Sequence, residues 1–353
     1  MIDVLTSVPL VSVLVPAYNA AATIGETIES VFRQTYVNLE LIVVNDGSTD
    51  GTANVLASFG DRVRVIHQVN GGLASARNAG CRAARGKFIA LLDADDRCVP
   101  HRIAVQMEVM RKFSDAALCC SEFSAFDTNG QVAERFGRQY YSMLGDADSG
   151  LDSLFAKSER MQTEVGVVTV HIGNAYASLA LGNFLHPGTI LFSRTTLQRV
   201  GEFDETVRIQ CDWEWNVRAS RTGRVVYVDT PLLEYRLSPT QMSASRRHER
   251  AADTYAIAMR IWNADPALAS LAVVNRYKHL GTLSLEAADA FIEHNKRTAG
   301  KYLRESVFVH GVIDLDTVKI FLKLLLPLSV VRTLRRLRGR DAMAGKLLGK
   351  ARS

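Results

Sequence analysis

Between Val11 and Leu92, short apolar runs alternate with helix-patterned segments, and this alternation fixes the kind of sheet the chain can build. Val11-Ser-Val-Leu-Val15, Leu39-Glu-Leu-Ile-Val-Val44, Val63-Arg-Val-Ile66 and Phe88-Ile-Ala-Leu-Leu92 each read as strands. After the first run, Thr23-Ile-Gly-Glu26 matches a capping box, and Ile24, Ile28, Val31 and Phe32 share one helical face. A second helix is expected near Ala53 to Phe59, and a third from Leu73 to Ala84, opened by Gly71-Gly72. Strands separated by crossover helices pair in parallel, with right-handed connections. The fold class is therefore α/β, with a Rossmann-like, mostly parallel sheet flanked by helices.

Several of these strands end in polar clusters: Tyr18-Asn19, Asp46, and Asp93-Ala-Asp95-Asp96. In a parallel sheet those ends face one edge, where open α/β sheets bind their ligands. Acids gathered there repel one another unless a cation joins them, and a hard divalent ion with oxygen ligands suits them. A lone D-x-D is common and also fits an acidic solvated turn; the neighbours at the same edge favour a site. Neither G-x-G-x-x-G nor G-x-x-x-x-G-K-[ST] follows the first strand. That argues against a dehydrogenase and a P-loop kinase, and leaves carboxylates, an arginine and a metal to hold a nucleotide.

Downstream, Pro100 can open a helix continued by Ile103, Val105, Met107 and Met110, and Ala116 to Ser121 reads as a strand. The stretch from Arg135 to Leu181 is weakly patterned and reads as an acceptor-binding loop or a surface insertion. Thr189 to Ser193 reads as a strand, and Arg194 to Val200 as a helix ended by Gly201. Asp212 opens a Trp-rich helix, where it serves either as a cap or as a carboxylate on an apolar wall, suited to proton abstraction. Val225 to Val228 is a further strand. From Glu249 to His310 the pattern is helical, with breaks at Asp265-Pro266 and near Gly300, and its apolar positions are expected to pack on the catalytic part.

The net charge of +5 conceals an asymmetry. From Lys319 to the end stand ten basic residues and one acid, Asp341, so the tail carries +9 and the remainder −4. The basicity suits an anionic surface at one end and gives no nucleic-acid-binding body. The apolar run Leu324 to Val331 is far short of the ~20 residues that span a bilayer. Beyond Pro327, Val330, Val331, Leu334 and Leu337 share a face ringed by Arg332, Arg335, Arg336 and Arg338. That pattern fits a helix lying in a membrane interface, or a docked C-terminal helix with a solvated basic end. Five cysteines without a C-x-x-C pair, and no signal peptide before Val11, point to a reducing, cytoplasmic location. The expected organisation is a catalytic domain over 1–245, a helical extension over 246–315 and a basic amphipathic tail over 316–353.

Six motifs, in order, resemble those of the family 2 glycosyltransferases: Val13-Leu-Val-Pro-Ala-Tyr-Asn19, Val43-Val-Asn-Asp46-Gly-Ser-Thr-Asp50, Gly72-Leu-Ala-Ser-Ala-Arg77-Asn78, Leu92-Asp93-Ala-Asp95-Asp96, Val200-Gly-Glu-Phe-Asp204-Glu205 and Cys211-Asp212-Trp-Glu214. The resemblance implies an inverting enzyme of GT-A fold that uses a nucleotide-activated sugar. It implies that Pro16, Ala17, Tyr18 and Asn19 line the nucleotide pocket, that Asp46 and Arg77 lie by the base, and that Asp93 holds the ribose side. Asp95, with Asp93, would hold Mn²⁺ or Mg²⁺ at the diphosphate, and Asp212 would be the general base. Two departures stand out: Cys211 replaces a common Glu, and Leu237-Ser238-Pro239-Thr240 lacks the histidine that many relatives place there, leaving Arg236 as a diphosphate contact or a structural ion-pair partner. UDP is the favoured nucleotide, with GDP and dTDP open. The expected acceptor is a lipid-linked or growing envelope glycan at the inner face of the membrane. The rival readings are a sugar nucleotidyltransferase and a membrane-associated scaffold that has kept the fold and lost the chemistry.

Overall fold

Strand β1 (Val11–Ala17) is buried along its whole length, because it has sheet neighbours on both sides and helices over its faces. The computed structural model describes residues 8–145, 150–238, 246–265, 267–268 and 275–334. The chain forms two compact units, Met1–Met242 and Ser243–Ser353.

In the first unit, α1 (Ile24–Phe32), β2 (Leu39–Asp46), α2 (Thr52–Ala57), β3 (Arg64–Gln68), α3 (Leu73–Ala83) and β4 (Phe88–Leu91) follow β1 in the expected alternation. β3, β2, β1 and β4 lie side by side and all pair in parallel. β5 (Arg97–Cys98), α4 (Arg102–Lys112), β6 (Ala116–Asp127) and β7 (Gly130–Ala133) come next. After the short helices α5 (Gly137–Tyr140), α6 (Ser142–Gly145) and α7 (Gly150–Leu154), a hairpin forms from β8 (Lys157–Thr163) and β9 (Gly166–Gly173). Then follow α8 (Tyr176–Leu181), β10 (Leu191–Ser193), α9 (Arg194–Val200), α10 (Cys211–Ser220) and the long β11 (Arg224–Arg236). The sheet order is β3-β2-β1-β4-β10-β6-β11-β9-β8. β10 is antiparallel to both of its neighbours, so the sheet is parallel in its first half and mixed beyond β4.

Four local expectations change. The Arg135–Leu181 stretch is not irregular, since its hairpin adds two strands to the sheet; alternation in Lys157–Thr163 is masked by polar residues on the exposed face. Thr23 makes no side-chain cap: its hydroxyl donates to the Ala94 carbonyl (2.9 Å), so the capping-box pattern is used for a tertiary contact. Pro100 does not open the next helix: His101 is the residue before α4, which starts at Arg102. Gly300 sits inside a helix, and the break falls at Asn295, whose side chain accepts from the Thr298 N–H.

The second unit contains α11 (Arg247–Ala264), α12 (Arg276–Phe291), α13 (Lys296–Arg304), a π-helical turn (Glu305–Val309) and α14 (Leu315–Leu325). Leu285, Ala288, Ile292, Ala299, Leu303, Ile320 and Val331 form its core. Val331 is therefore buried, which corrects the expectation that it shares an exposed face with Val330 and Leu334; Leu337 lies outside the described residues. No helix among the described residues is long and apolar enough to cross a membrane.

Candidate active site

The acidic loop 93–96 leaves β4 at the carboxyl edge of the sheet and is held by its backbone. Thr27 of α1 is fully buried, and its hydroxyl lies 2.8 Å from the Asp96 carbonyl and 3.0 Å from that of Ala94. From β11, Arg236 donates its Nε–H to the Asp95 carbonyl (2.8 Å) and its backbone N–H to Asp96 Oδ1 (2.9 Å). Its guanidinium also pairs with Glu26 (2.7 Å). These ties explain why a short loop can hold three carboxylates in one place. They also give Arg236 a structural engagement, as the ion-pair alternative anticipated.

The carboxylates are strained electrostatically. Burial, with the neighbouring Asp93, pushes Asp95 up to about 6. Burial and the Asp95 charge push Asp96 well above the usual carboxylate range, and its Oδ2 is buried without a hydrogen-bond partner. Asp93, Asp96 and His186 bring ligand atoms within 4.8 Å of one another. His186 lies after α8, where no spacing in the sequence marked it. Burial holds it down to about 4, so it is neutral at pH 7. The Gly188 N–H donates to its Nδ1 (3.2 Å), which leaves Nε2 to carry the ring proton of the neutral imidazole. The cluster that could hold an ion is thus Asp93, Asp96 and His186, in place of the expected pair Asp95 and Asp93, and its carboxylate oxygens, one of them buried without a partner, suit a hard divalent cation.

Next to the acids stands Arg77 of α3, fully buried. Its Nη2 lies 3.2 Å from Asp93 Oδ1 and its Nη1 3.4 Å from Cys211 Sγ. Burial opposes its charge, but Cys211, Asp93 and Asp212 outweigh that and raise its pKa. Asp212 sits in the first turn of α10 behind Gln210, the residue at the cap position, so it is not the cap. Asn183 donates to Asp212 Oδ2 (2.9 Å), and the Leu185 N–H on Asn183 Oδ1 fixes that amide's orientation. Burial, with Asp93, raises the Asp212 pKa, while Arg77 and the Asn183 bond oppose the rise. α10 is anchored by its tryptophans: Trp213 Nε1–H donates to the Leu179 carbonyl and Trp215 Nε1–H to that of Gly201.

Further along the carboxyl edge of the sheet lie the loops after β1 and β2. Pro16 and Ala17 are buried as the last residues of β1, in register with Val44 and Asn45, whereas the Tyr18 ring is exposed. Asn19 adopts a left-handed backbone (φ 50°), tolerable for Asn, and its Oδ1 accepts from the Thr49 N–H (2.8 Å). Asp46 accepts from Gln68 Nε2 and from the N–H groups of Gly71 and Gly72 at 2.7–2.9 Å. Its visible work is to fix the start of α3, and so to place Arg77. Asp46 therefore lies at the crevice with most of its acceptor capacity engaged.

The structure thus brings Arg77, Asp93, Asp95 and Asp212 together, sets Tyr18 and Asn19 on an adjoining loop, and uses Asp46 and Arg236 as braces. His186, Asn183 and Thr27 are contributors that sequence reasoning did not single out, and Cys211 stood out only as a replacement for a common Glu. Thr23 also carried a signal, and it was read as a cap.

Comparison with known proteins bears on the family and the fold. Residues 12–161 match the family model described as glycosyl transferase family 2. An uncharacterized glycosyltransferase of Rickettsia prowazekii is 27% identical over 235 residues, covering 66% of this chain and 65% of that protein, just under two thirds of its length. Bacillus subtilis EpsH, named as a glycosyltransferase, is 27% identical over 88% of this chain and 84% of its own. Hyaluronan synthase of Pasteurella multocida is 42% identical over 128 residues, 35% of this chain and 13% of that one. Among solved structures, S. aureus TarS 1-349 in complex with UDP-GlcNAc superposes with a TM-score of 0.56 at 16% identity, covering 83% of this chain and 80% of that one. The mannosyltransferase PcManGT of Pyrobaculum calidifontis, in complex with GDP-Man and Mn²⁺, gives 0.51 at 19% identity, covering 92% and 87%. These likenesses establish the GT-A-like fold.

Proposed function

We propose, from the match of residues 12–161 to the glycosyl transferase family 2 model, that the chain is a member of that family and transfers a sugar, with inversion, from a nucleotide-diphosphate donor to an acceptor hydroxyl. The observation that carries the reading is the meeting of Asp93 and Asp95, Arg77 and Asp212 in one crevice, although they come from three separate segments.

Tyr18 offers an exposed ring for the base, and Pro16, Ala17 and Asn19 shape the loop beneath it. Asp46 and Arg77 complete that end, and Asp93 faces the ribose side. Asp93 and Asp96, with His186 beside them and Asp95 in the same loop, are the residues that would hold Mn²⁺ or Mg²⁺. Such an ion neutralises a diphosphate leaving group when bound. Asp212 takes the acceptor proton as the hydroxyl attacks the face opposite the leaving group. Its raised pKa makes it a stronger base than an ordinary carboxylate, and Asn183 holds the oxygen that does not receive the proton. Arg77 keeps the Asp93 and Asp212 charges compatible and limits their mutual repulsion. Holding donor and acceptor in line supplies much of the remaining acceleration.

In this reading residues 1–245 are catalytic, 246–315 a helical extension and 316–353 a basic tail. The acceptor is a lipid-linked or growing envelope glycan, met at the inner face of the cell membrane, whose anionic surface the tail contacts. UDP is the expected nucleotide. The structural neighbours hold UDP-GlcNAc and GDP-Man, so both bases belong in a donor screen. The test is to incubate the purified chain with Mn²⁺ and UDP-, GDP- and dTDP-sugars and to measure nucleoside diphosphate release. One donor class should turn over and Asp95→Ala should weaken its binding. No release from any donor, with nucleotide binding indifferent to Asp95→Ala, would overturn the proposal.

A further inference from the structure

Helix α14 has two apolar faces. Thr317 and Ile320 are buried, and Leu324 packs with Ile320 on the core of the second unit. On another side, Leu315, Val318, Leu322 and Leu325 recur at i, i+3, i+7 and i+10, with Phe321 beside them, and all five are exposed. Leu315 is 76% exposed and Leu325 68%. Further exposed apolar residues stand before the helix, Phe308 (82%) and Ile313 (75%), and after it, Leu328, Val330 and Leu334. Isolated exposed apolar residues need no explanation, but a contiguous stripe of this length marks a contact surface.

The stripe is held rigidly. Asp314 and Thr317 form a capping box at the start of α14. At its end Lys296 donates to the carbonyls of Leu324 (2.8 Å) and Leu326 (2.5 Å). Val331 is pinned in the core just beyond. The outward-facing side chains are thus fixed before any partner arrives.

Charge selects the occupant. Residues 243–353 contain twenty Lys and Arg against ten Asp and Glu, a net +10, whereas residues 1–242 carry −5. A second copy seated on this face would set +10 against +10. An anionic lipid surface has the opposite sign and, unlike a nucleic acid, also takes up apolar side chains. We propose that the outer stripe of α14, with Phe308 and Ile313, inserts into the headgroup region of an anionic membrane leaflet, to which the net positive charge of residues 243–353 draws it. This deepens the membrane-surface partner named above and rests on that reading. It moves the apolar anchor from the segment after Pro327 to α14, because Val331 is spent on the core.

The experiment is co-sedimentation of the full chain with phosphatidylcholine vesicles, with and without phosphatidylglycerol, for the wild type and for Leu322→Ser/Leu325→Ser. Both positions are exposed, so the fold should survive, and UDP binding in Mn²⁺ is measured in parallel. The wild type should favour the anionic vesicles, and the double variant should bind them at least about tenfold more weakly with unchanged UDP affinity. Equal vesicle binding by the two proteins overturns the inference, as does a wild type that ignores anionic vesicles. A wild-type dimer in light scattering that the double substitution dissociates also overturns it, since the face would then belong to a second copy. Loss of nucleotide binding in the wild type, with the vesicle result intact, sinks the proposed chemistry and not the membrane surface.

Discussion

Replacing Thr27 with Val tests whether the acidic loop is held in place by α1. The Thr27 hydroxyl is within reach of two loop carbonyls, Asp96 at 2.8 Å and Ala94 at 3.0 Å, in a fully buried position. Valine is close in shape, so little cavity opens, and the loss is chiefly the donor. A buried acceptor left unsatisfied costs about 1–3 kcal/mol. The Ala94 carbonyl keeps the Thr23 hydroxyl (2.9 Å), so the penalty should fall mainly on Asp96. We expect Thr27→Val to lower unfolding free energy by about 1.5–2.5 kcal/mol in urea, and to raise the Mn²⁺ concentration for half-maximal nucleotide binding several-fold. Thr23→Val alone should do less, because Thr27 still serves Ala94. The double variant should lose more than the sum, since the two hydroxyls share one carbonyl. A stability loss under about 0.5 kcal/mol, or a larger loss with unchanged Mn²⁺ dependence, would refute the claim that this clamp positions the acids.

Asp212→Asn should abolish transfer while nucleotide binding persists. Its carboxyl is raised above its unfolded value by burial, so its contribution to stability is present below the unfolded pKa and is lost as pH rises through the folded one. At neutral pH the Asn variant should therefore melt at or above the wild-type temperature, and a clear drop in Tm would contradict this account. By the same shift, wild-type kcat should fall on the acid side at a pH above the ordinary carboxylate range, which a pH–rate profile reads directly. Arg77→Met removes the one buried cation between Asp93, Asp212 and Cys211, and should cost about 3 kcal/mol or more in chemical denaturation; a near-neutral effect would mean the acids do not need it. Gly80→Ala would drive a methyl into Leu14 where α3 crosses β1, at about 1–3 kcal/mol. Leu14→Val in the same chain should recover part of that loss, and no recovery would place the clash elsewhere.

The alternation of short apolar runs with helix-patterned segments over residues 11–92 was enough to specify four parallel strands with crossover helices. The placement of Tyr18, Asp46, Asp93 and Asp95 along one edge followed from that topology alone. Edge strand β8 was hidden, since its polar outer face and charged residues blur the alternation that marks a strand. Long-range partners were hidden for a different reason. Cys211 and Asn183 stand 134 and 29 residues from the groups they bond, and His186 is brought to the acids only by the fold.

Spacing left Asp212 undecided between cap and base, and Thr23 was legible only as a cap. Those choices turn on which atoms meet, which no local pattern encodes. The sequence alone determined the sheet, its binding edge and the chemical types gathered there. The tertiary structure decided which carboxylates are crowded, which are spent as braces, and which face of α14 is left exposed. Burial and partner geometry set those outcomes, and both exist only once distant segments have packed.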